Sequence, residues 1–100
     1  MKKIKAIQLH FKRRSKERVG KSYSKKEQKQ IAARIRGCQN ASFIRRHSNT
    51  RSEWQIFWDG EVLRVIYDKP HHTCVTVLPI LPHTKLSPLM EKLLQEHNHE

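Results

Sequence analysis

His10, Arg14, Glu17 and Arg18 are the first residues in this chain whose types and spacing suggest chemistry. At 3.6 residues per turn, His10, Arg14 and Glu17 fall within about 60° of one another on a helix. Arg18 borders the same stripe, and Lys21 returns to it if the helix continues. An imidazole, a guanidinium and a carboxylate can then converge on one site. His10 is the residue of this region able to take up and release a proton near neutral pH. Arg14 and Arg18 suit bidentate contact with a phosphodiester, and Glu17 can orient an arginine or the imidazole. The same spacing also describes a solvated helix face on which Glu17 relieves cationic crowding.

A second group lies in the stretch His47-Ser48-Asn49-Thr50-Arg51. It brings hydroxyls, an amide and two basic side chains into a loop beside a strand, a sensible way to build a phosphate pocket. Ordinary turn formers account for the same residues. Tyr67 and Thr76 fall on neighbouring strands and are expected to point the same way, Tyr67 as a core-edge residue. The Trp54, Ile56 and Trp58 stripe can stack bases, but a small domain with few aromatics needs them inside. Cys38, His71, His72, Cys74 and His83 are of metal-ligand type, yet no C-x2-C or H-x3–5-H pair occurs, so no metal is expected. P-loop, GxGxxG, HExxH and paired-carboxylate motifs do not occur either.

The elements that must hold these residues follow from period and punctuation. His10 to Val19 contains strong helix formers and no proline, and Gly20 stops it. Ser24-Lys25-Lys26-Glu27 fits a capping box, Ile31, Ala32 and Ile35 mark one apolar stripe, and Gly37 sits where a left-handed C′ glycine belongs. The period then changes to two. In residues 52–58, Trp54, Ile56 and Trp58 share one face while Glu53 and Gln55 share the other. Asp59-Gly60 is the signature of a type I′ hairpin turn, and Val62–Tyr67 is the returning strand. Residues 73–78 make a further strand after the turn at 69–72, and 41–46 a weaker one upstream. Ser87-Pro88 reads as N-cap and N1 proline, and Leu86, Leu89, Met90, Leu93 and Leu94 form a stripe suited to covering an exposed sheet face. The expected fold is α+β: two N-terminal helices, an antiparallel meander sheet of about four strands and a short C-terminal helix. It is read as one domain, with a basic helical part over 1–37, the sheet over 38–80, the last helix over 84–96 and a loose tail at 97–100.

Charge limits the function. Of 100 residues, 21 are Lys or Arg and 9 Asp or Glu, a formal balance of +12. The imbalance is concentrated in residues 1–51, which hold 17 cations against two anions, Glu17 and Glu27. The remaining half carries four cations and seven anions. So lopsided a field implies a polyanionic partner, of which nucleic acid is the commonest. No apolar run approaches the ~20 residues of a membrane span. Lys5, Gln8 and His10 interrupt the only candidate signal-peptide core, and two cysteines make no secreted disulfide framework. The expected compartment is the cytoplasm, with no membrane partner.

His10-x3-Arg14-x2-Glu17-Arg18, a second helix ending in glycine, then Arg45-Arg46-His47-Ser48-Asn49-Thr50-Arg51 ahead of Trp54-Gln55-Ile56-Phe57, resemble a known pattern. With the closing strands Leu63–Asp68 and Val75–Pro79, it is similar to small phage- and prophage-associated proteins related to RelE-like toxins. These belong to the barnase–EndoU–colicin–RelE group of metal-independent ribonucleases, and the resemblance spans about residues 7–80. It implies a cleft across the sheet and RNA cleavage without a cofactor, by attack of the ribose 2′-OH on its own phosphate. By that resemblance His10 is the acid/base residue, Arg14, Arg18 and Arg51 are phosphate clamps, and Ser48 and Thr76 bond near the scissile phosphate. Lys12, Arg13, Arg18, Lys21, Arg45 and Arg46 are the expected nucleic-acid-binding cations, with RNA favoured over DNA. Two other readings stand beside the endoribonuclease: a non-enzymatic DNA- or RNA-binding accessory protein, and a basic protein that docks on a ribosome or an acidic antitoxin or immunity protein.

Overall fold

The computed structural model describes residues 2–20 and 23–98, with the side chains of 9–17, 20 and 23–98. Their order is α1 (Lys2–Val19), α2 (Lys25–Arg36), β1 (Ala41–Arg46), β2 (Arg51–Trp58), β3 (Glu61–Asp68), β4 (Thr73–Leu78) and α3 (Pro88–Asn98). The strands form one antiparallel meander in the order β1-β2-β3-β4, the expected α+β architecture.

α2 starts where its sequence says. Ser24 Oγ accepts the Glu27 amide at 3.2 Å and the Ser24 amide donates to Glu27 Oε1 at 3.1 Å, closing the capping box. Its buried stripe is Gln28, Ile31, Ala32 and Ile35, the spacing of one helical face. The exit differs from expectation. Gly37 has φ −91°, and the left-handed residue is Cys38 at φ 52°. The Gly37 amide still reaches Ala33 O at 3.0 Å, so the last turn continues one residue further before the chain reverses.

α1 begins at Lys2 rather than His10. Nothing between Lys2 and Val19 breaks a helix, but no acidic residue marks the first turn, so the sequence offers no start signal. Phe11 and Ser15, one turn apart, are its buried side chains among those described; Ser15 Oγ donates to Lys12 O at 2.9 Å.

The β2–β3 hairpin has the expected two-residue turn, with Asp59 at φ 52° and Gly60 at φ 79°. It fixes the register Trp58↔Glu61, Ile56↔Leu63, Gln55↔Arg64, Trp54↔Val65 and Glu53↔Ile66. One face therefore carries Trp54, Ile56, Leu63, Val65 and Tyr67. Ile56, Leu63, Val65 and Tyr67 form the core with Phe11, Ile31 and Ile35 from the helices and Cys74 and Val77 from β4, and Trp54 and Trp58 pack half-buried against it. β1 is shifted at Ile44 and β4 at Val75, each by one extra residue.

The opposite face is covered in part by α3 and the segment before it. Met90 is fully buried. The Ser87 amide donates to Gln55 Oε1 at 2.8 Å, and Gln55 Nε2 donates to Lys85 O at 2.9 Å. Ser87 also caps α3, its Oγ accepting the Met90 amide at 3.2 Å. The helix runs Pro88–Asn98 rather than 84–96, so His97 and Asn98, expected in a loose tail, belong to it; residues 99–100 of that tail lie outside the described residues.

Candidate nucleic-acid interface

The β1–β2 connection is a braced loop. Ser48 Oγ accepts the amides of Thr50 at 3.3 Å and Arg51 at 3.1 Å, while the His47 and Ser48 amides donate to Arg51 O at 2.9 and 3.1 Å. Arg46 reaches over the turn, Nε to Ser48 O at 3.2 Å and Nη2 to Asn49 Oδ1 at 2.8 Å. The Lys69 amide donates to Thr50 O at 2.8 Å, which ties the β3–β4 turn to the same loop. Between them lies a cavity of about 290 Å³ lined by Arg46, Arg51 and Lys69, by Ser48, Asn49, Thr50 and Ser52, and by the ring of Phe43. Three cations and no carboxylate face it. Asp68 Oδ1 stands 4.0 Å from Arg51 Nε.

Behind this loop, on the sheet face opposite α1 and α2, Glu53 gathers basic groups. It is 1% exposed. His47 Nε2 lies 2.9 Å from Oε1; Arg64 donates to Oε2 from Nε at 3.2 Å and Nη2 at 3.0 Å; and Arg45 Nε is 3.6 Å from Oε1. Burial alone would raise the Glu53 pKa. The hydrogen bonds from His47 and Arg64 and the charges of Arg64 and Arg45 outweigh it and hold the carboxyl below its ordinary value. An ionised Glu53 can only accept, so Nε2 carries the hydrogen of this bond, and in the neutral imidazole the lone pair is then on Nδ1. The His47 side chain is 42% exposed, so this carboxylate-oriented imidazole is open to solvent. Further along the same face Asp68 meets His71 Nδ1.

The residues singled out in the sequence are distributed over both sides of the sheet. On α1, Arg14 Nη1 bonds Glu17 Oε2 at 3.1 Å, His10 is half-buried, and Lys12 and Arg13 are exposed. The Arg18 side chain and Lys21 lie outside the described residues. α1 packs on the Val65 and Val77 face through Phe11. Arg51 and Thr76 alternate onto the other face, opposite Asp68 and Ile66. Ser48 and Arg51 do come together, with Arg45 and Arg46 at the end of the neighbouring strand. Tyr67 and Thr76 do not: the extra residue at Val75 sets Tyr67 against Cys74, towards the core, and Thr76 against Ile66.

Glu53, Arg64, Lys69 and Phe43 were not picked out from the sequence, and His47 only as one of the two basic side chains of its loop. The hairpin register contained part of the signal, because a two-residue turn at 59–60 sets Arg64 diagonally across from Glu53. Cys38 is exposed and Cys74 buried, both free thiols; burial pushes the Cys74 thiol up to about 12 against the pull of Arg36, which makes it no nucleophile at neutral pH. Among the described residues no three His, Cys, Asp or Glu side chains gather as they would for a metal ion, and no helix is long and apolar enough to cross a membrane. No protein-family model, curated protein or solved structure matches the chain.

Proposed function

We propose that this protein binds RNA at the β1–β2 loop in the cytoplasm and cleaves it there without a metal, as the RelE-like ribonucleases it resembles do. The observation that carries the reading is the loop cavity, walled by Arg46, Arg51 and Lys69 with no carboxylate; the same loop carries His47, whose imidazole Glu53 orients on the other face of the sheet. Guanidinium and ammonium groups donate to phosphate oxygens, and release of counterions drives the association. RNA is favoured over DNA because the reaction open to one oriented imidazole is attack by the ribose 2′-OH, which DNA lacks. His47 Nδ1 takes the 2′-OH proton as the O2′–P bond forms. The P–O5′ bond breaks, and the 5′-oxygen leaves with a proton from solvent. The products are a 2′,3′-cyclic phosphate and a 5′-hydroxyl, and the three cations offset the charge that grows on the phosphoryl oxygens.

The test is incubation with a single-stranded RNA in EDTA. The expected outcome is cyclic-phosphate ends, with His47→Gln slower by about 100-fold or more and Arg51→Ala also impaired. Full activity of His47→Gln with loss in His10→Ala moves proton transfer to α1. Intact RNA at protein excess rejects cleavage. One observation favours a second reading, a non-enzymatic nucleic-acid-binding accessory protein: α1, which carries His10 and Arg14, packs on the sheet face opposite Arg51 and Thr76. Under it RNA or DNA is retained and never cut.

A further inference from the structure

Phe43 is an exposed large apolar residue, as are Leu9, Ile80 and Leu81 among the described residues. It lies on β1, an edge strand, and is 56% exposed. In the sheet it stands directly opposite Trp54, and the two rings meet edge to face at 5.6 Å between centroids and 80° between planes. Trp54 is itself held, packed against the core and donating Nε1–H to Ser52 Oγ at 2.9 Å. Phe43 is thus a propped ring, kept at the surface by a partner that cannot retreat. Exposed phenylalanines are common singly and need no explanation. This one forms the apolar wall of the cavity whose other walls are Arg46, Arg51, Lys69 and the hydroxyls and amide of residues 48–52. A flat apolar surface against clustered cations and short polar side chains is complementary to one kind of ligand, a planar base joined to a phosphate.

We infer that Phe43 is a nucleobase-stacking platform, and that the loop cavity takes an unpaired nucleotide with its base on Phe43 and its phosphate among Arg46, Arg51 and Lys69. The inference rests on the proposed reading that this cavity binds nucleic acid, and it adds the substrate class. Bases in a duplex are stacked on their neighbours and cannot reach a side-chain ring, whereas single strands and loops can splay them out. The preferred substrate is therefore single-stranded RNA, chosen by stacking and not by base sequence.

The experiment measures binding of a labelled 12-nucleotide single strand, a blunt RNA duplex of equal length and an abasic strand carrying the same phosphates. The wild-type protein is expected to prefer the single strand over both others by tenfold or more. Phe43→Ala weakens the single strand by roughly 5- to 100-fold, leaves the duplex and abasic strands unchanged, and Phe43→Tyr restores the wild-type affinity. Unchanged single-strand affinity in Phe43→Ala, with losses in Arg46→Ala and Lys69→Ala, overturns the stacking platform and leaves the cavity as a phosphate site. Equal wild-type affinity for the abasic strand overturns it without any variant. No measurable binding of any of the three, or binding indifferent to Arg46→Ala and Lys69→Ala, removes the nucleic-acid reading of the cavity itself. A Phe43→Ala variant that loses a protein partner but no RNA marks the ring as a docking residue and overturns the proposal.

Discussion

At the scale of single residues, Glu53 is held by three basic side chains. It is a buried carboxylate surrounded by Arg64, Arg45 and His47, and removing one partner of such a group leaves charges uncompensated. Glu53→Gln is expected to cost about 2–4 kcal/mol, measured by urea unfolding at pH 7. The sign of its pH dependence follows from the direction of the shift. A carboxyl held below its ordinary 4.5 in the folded state stabilises fully above that value and loses the contribution as pH falls through the lowered one. The gap between wild type and Glu53→Gln should therefore close in strongly acidic solution. A gap that stays constant between pH 7 and pH 3 would show that shape, not charge, makes the site. Little of this was legible. Alternation put Glu53 on the face away from the core, where a strand glutamate is ordinarily solvated, and only the third layer formed by the chain after β4 makes that face an interior.

At the scale of elements, the hairpin shows how far local chemistry reaches. Asp59-Gly60 announced the turn, the turn imposed the register, and the register sorted core from back face. Gly60 meets two demands together. Its φ of 79° suits glycine, and a Cβ there would lie 2.8 Å from His97 Nε2 of α3. Gly60→Ala is expected to cost about 1–2 kcal/mol, read as a lower Tm. His97 is the mobile end of a side chain and can move away, so His97→Ala should restore little of the loss; full restoration would place the cost in the clash instead of the backbone. Ser24 and Glu27 were as readable as the turn, since a capping box needs only four consecutive residues. The start of α1 and the extra residues at Ile44 and Val75 were not, because helix starts without caps and bulges in strands have no short sequence signature.

At the scale of the whole molecule, the charge asymmetry places the cationic half over α1, α2, β1 and the β1–β2 loop, so a polyanion meets a field before it meets a site. Binding to single-stranded RNA should weaken with salt. Each phosphate neutralised contributes a slope of about −0.7 in log K against log[salt]. Arg46→Ala, Arg51→Ala and Lys69→Ala combined should make the slope shallower by about 2 units. A triple variant with the wild-type slope would assign the contacts to α1 and α2.

The net charge, the capping box, the Asp-Gly hairpin and the alternation of β2 and β3 are properties of neighbouring residues, and the amino-acid order by itself determined them. It also brought Ser48 and Arg51 together, because three residues of turn cannot separate them. What lay beyond it was convergence between distant segments. The placement of α1 on one face of the sheet, away from Arg51 and Thr76, and the meeting of Phe43 with Lys69 around one cavity, depend on how layers stack and on single-residue shifts in two strands. A one-residue shift turns a side chain to the opposite face, so the membership of the site was decided only when the sheet closed against its helices.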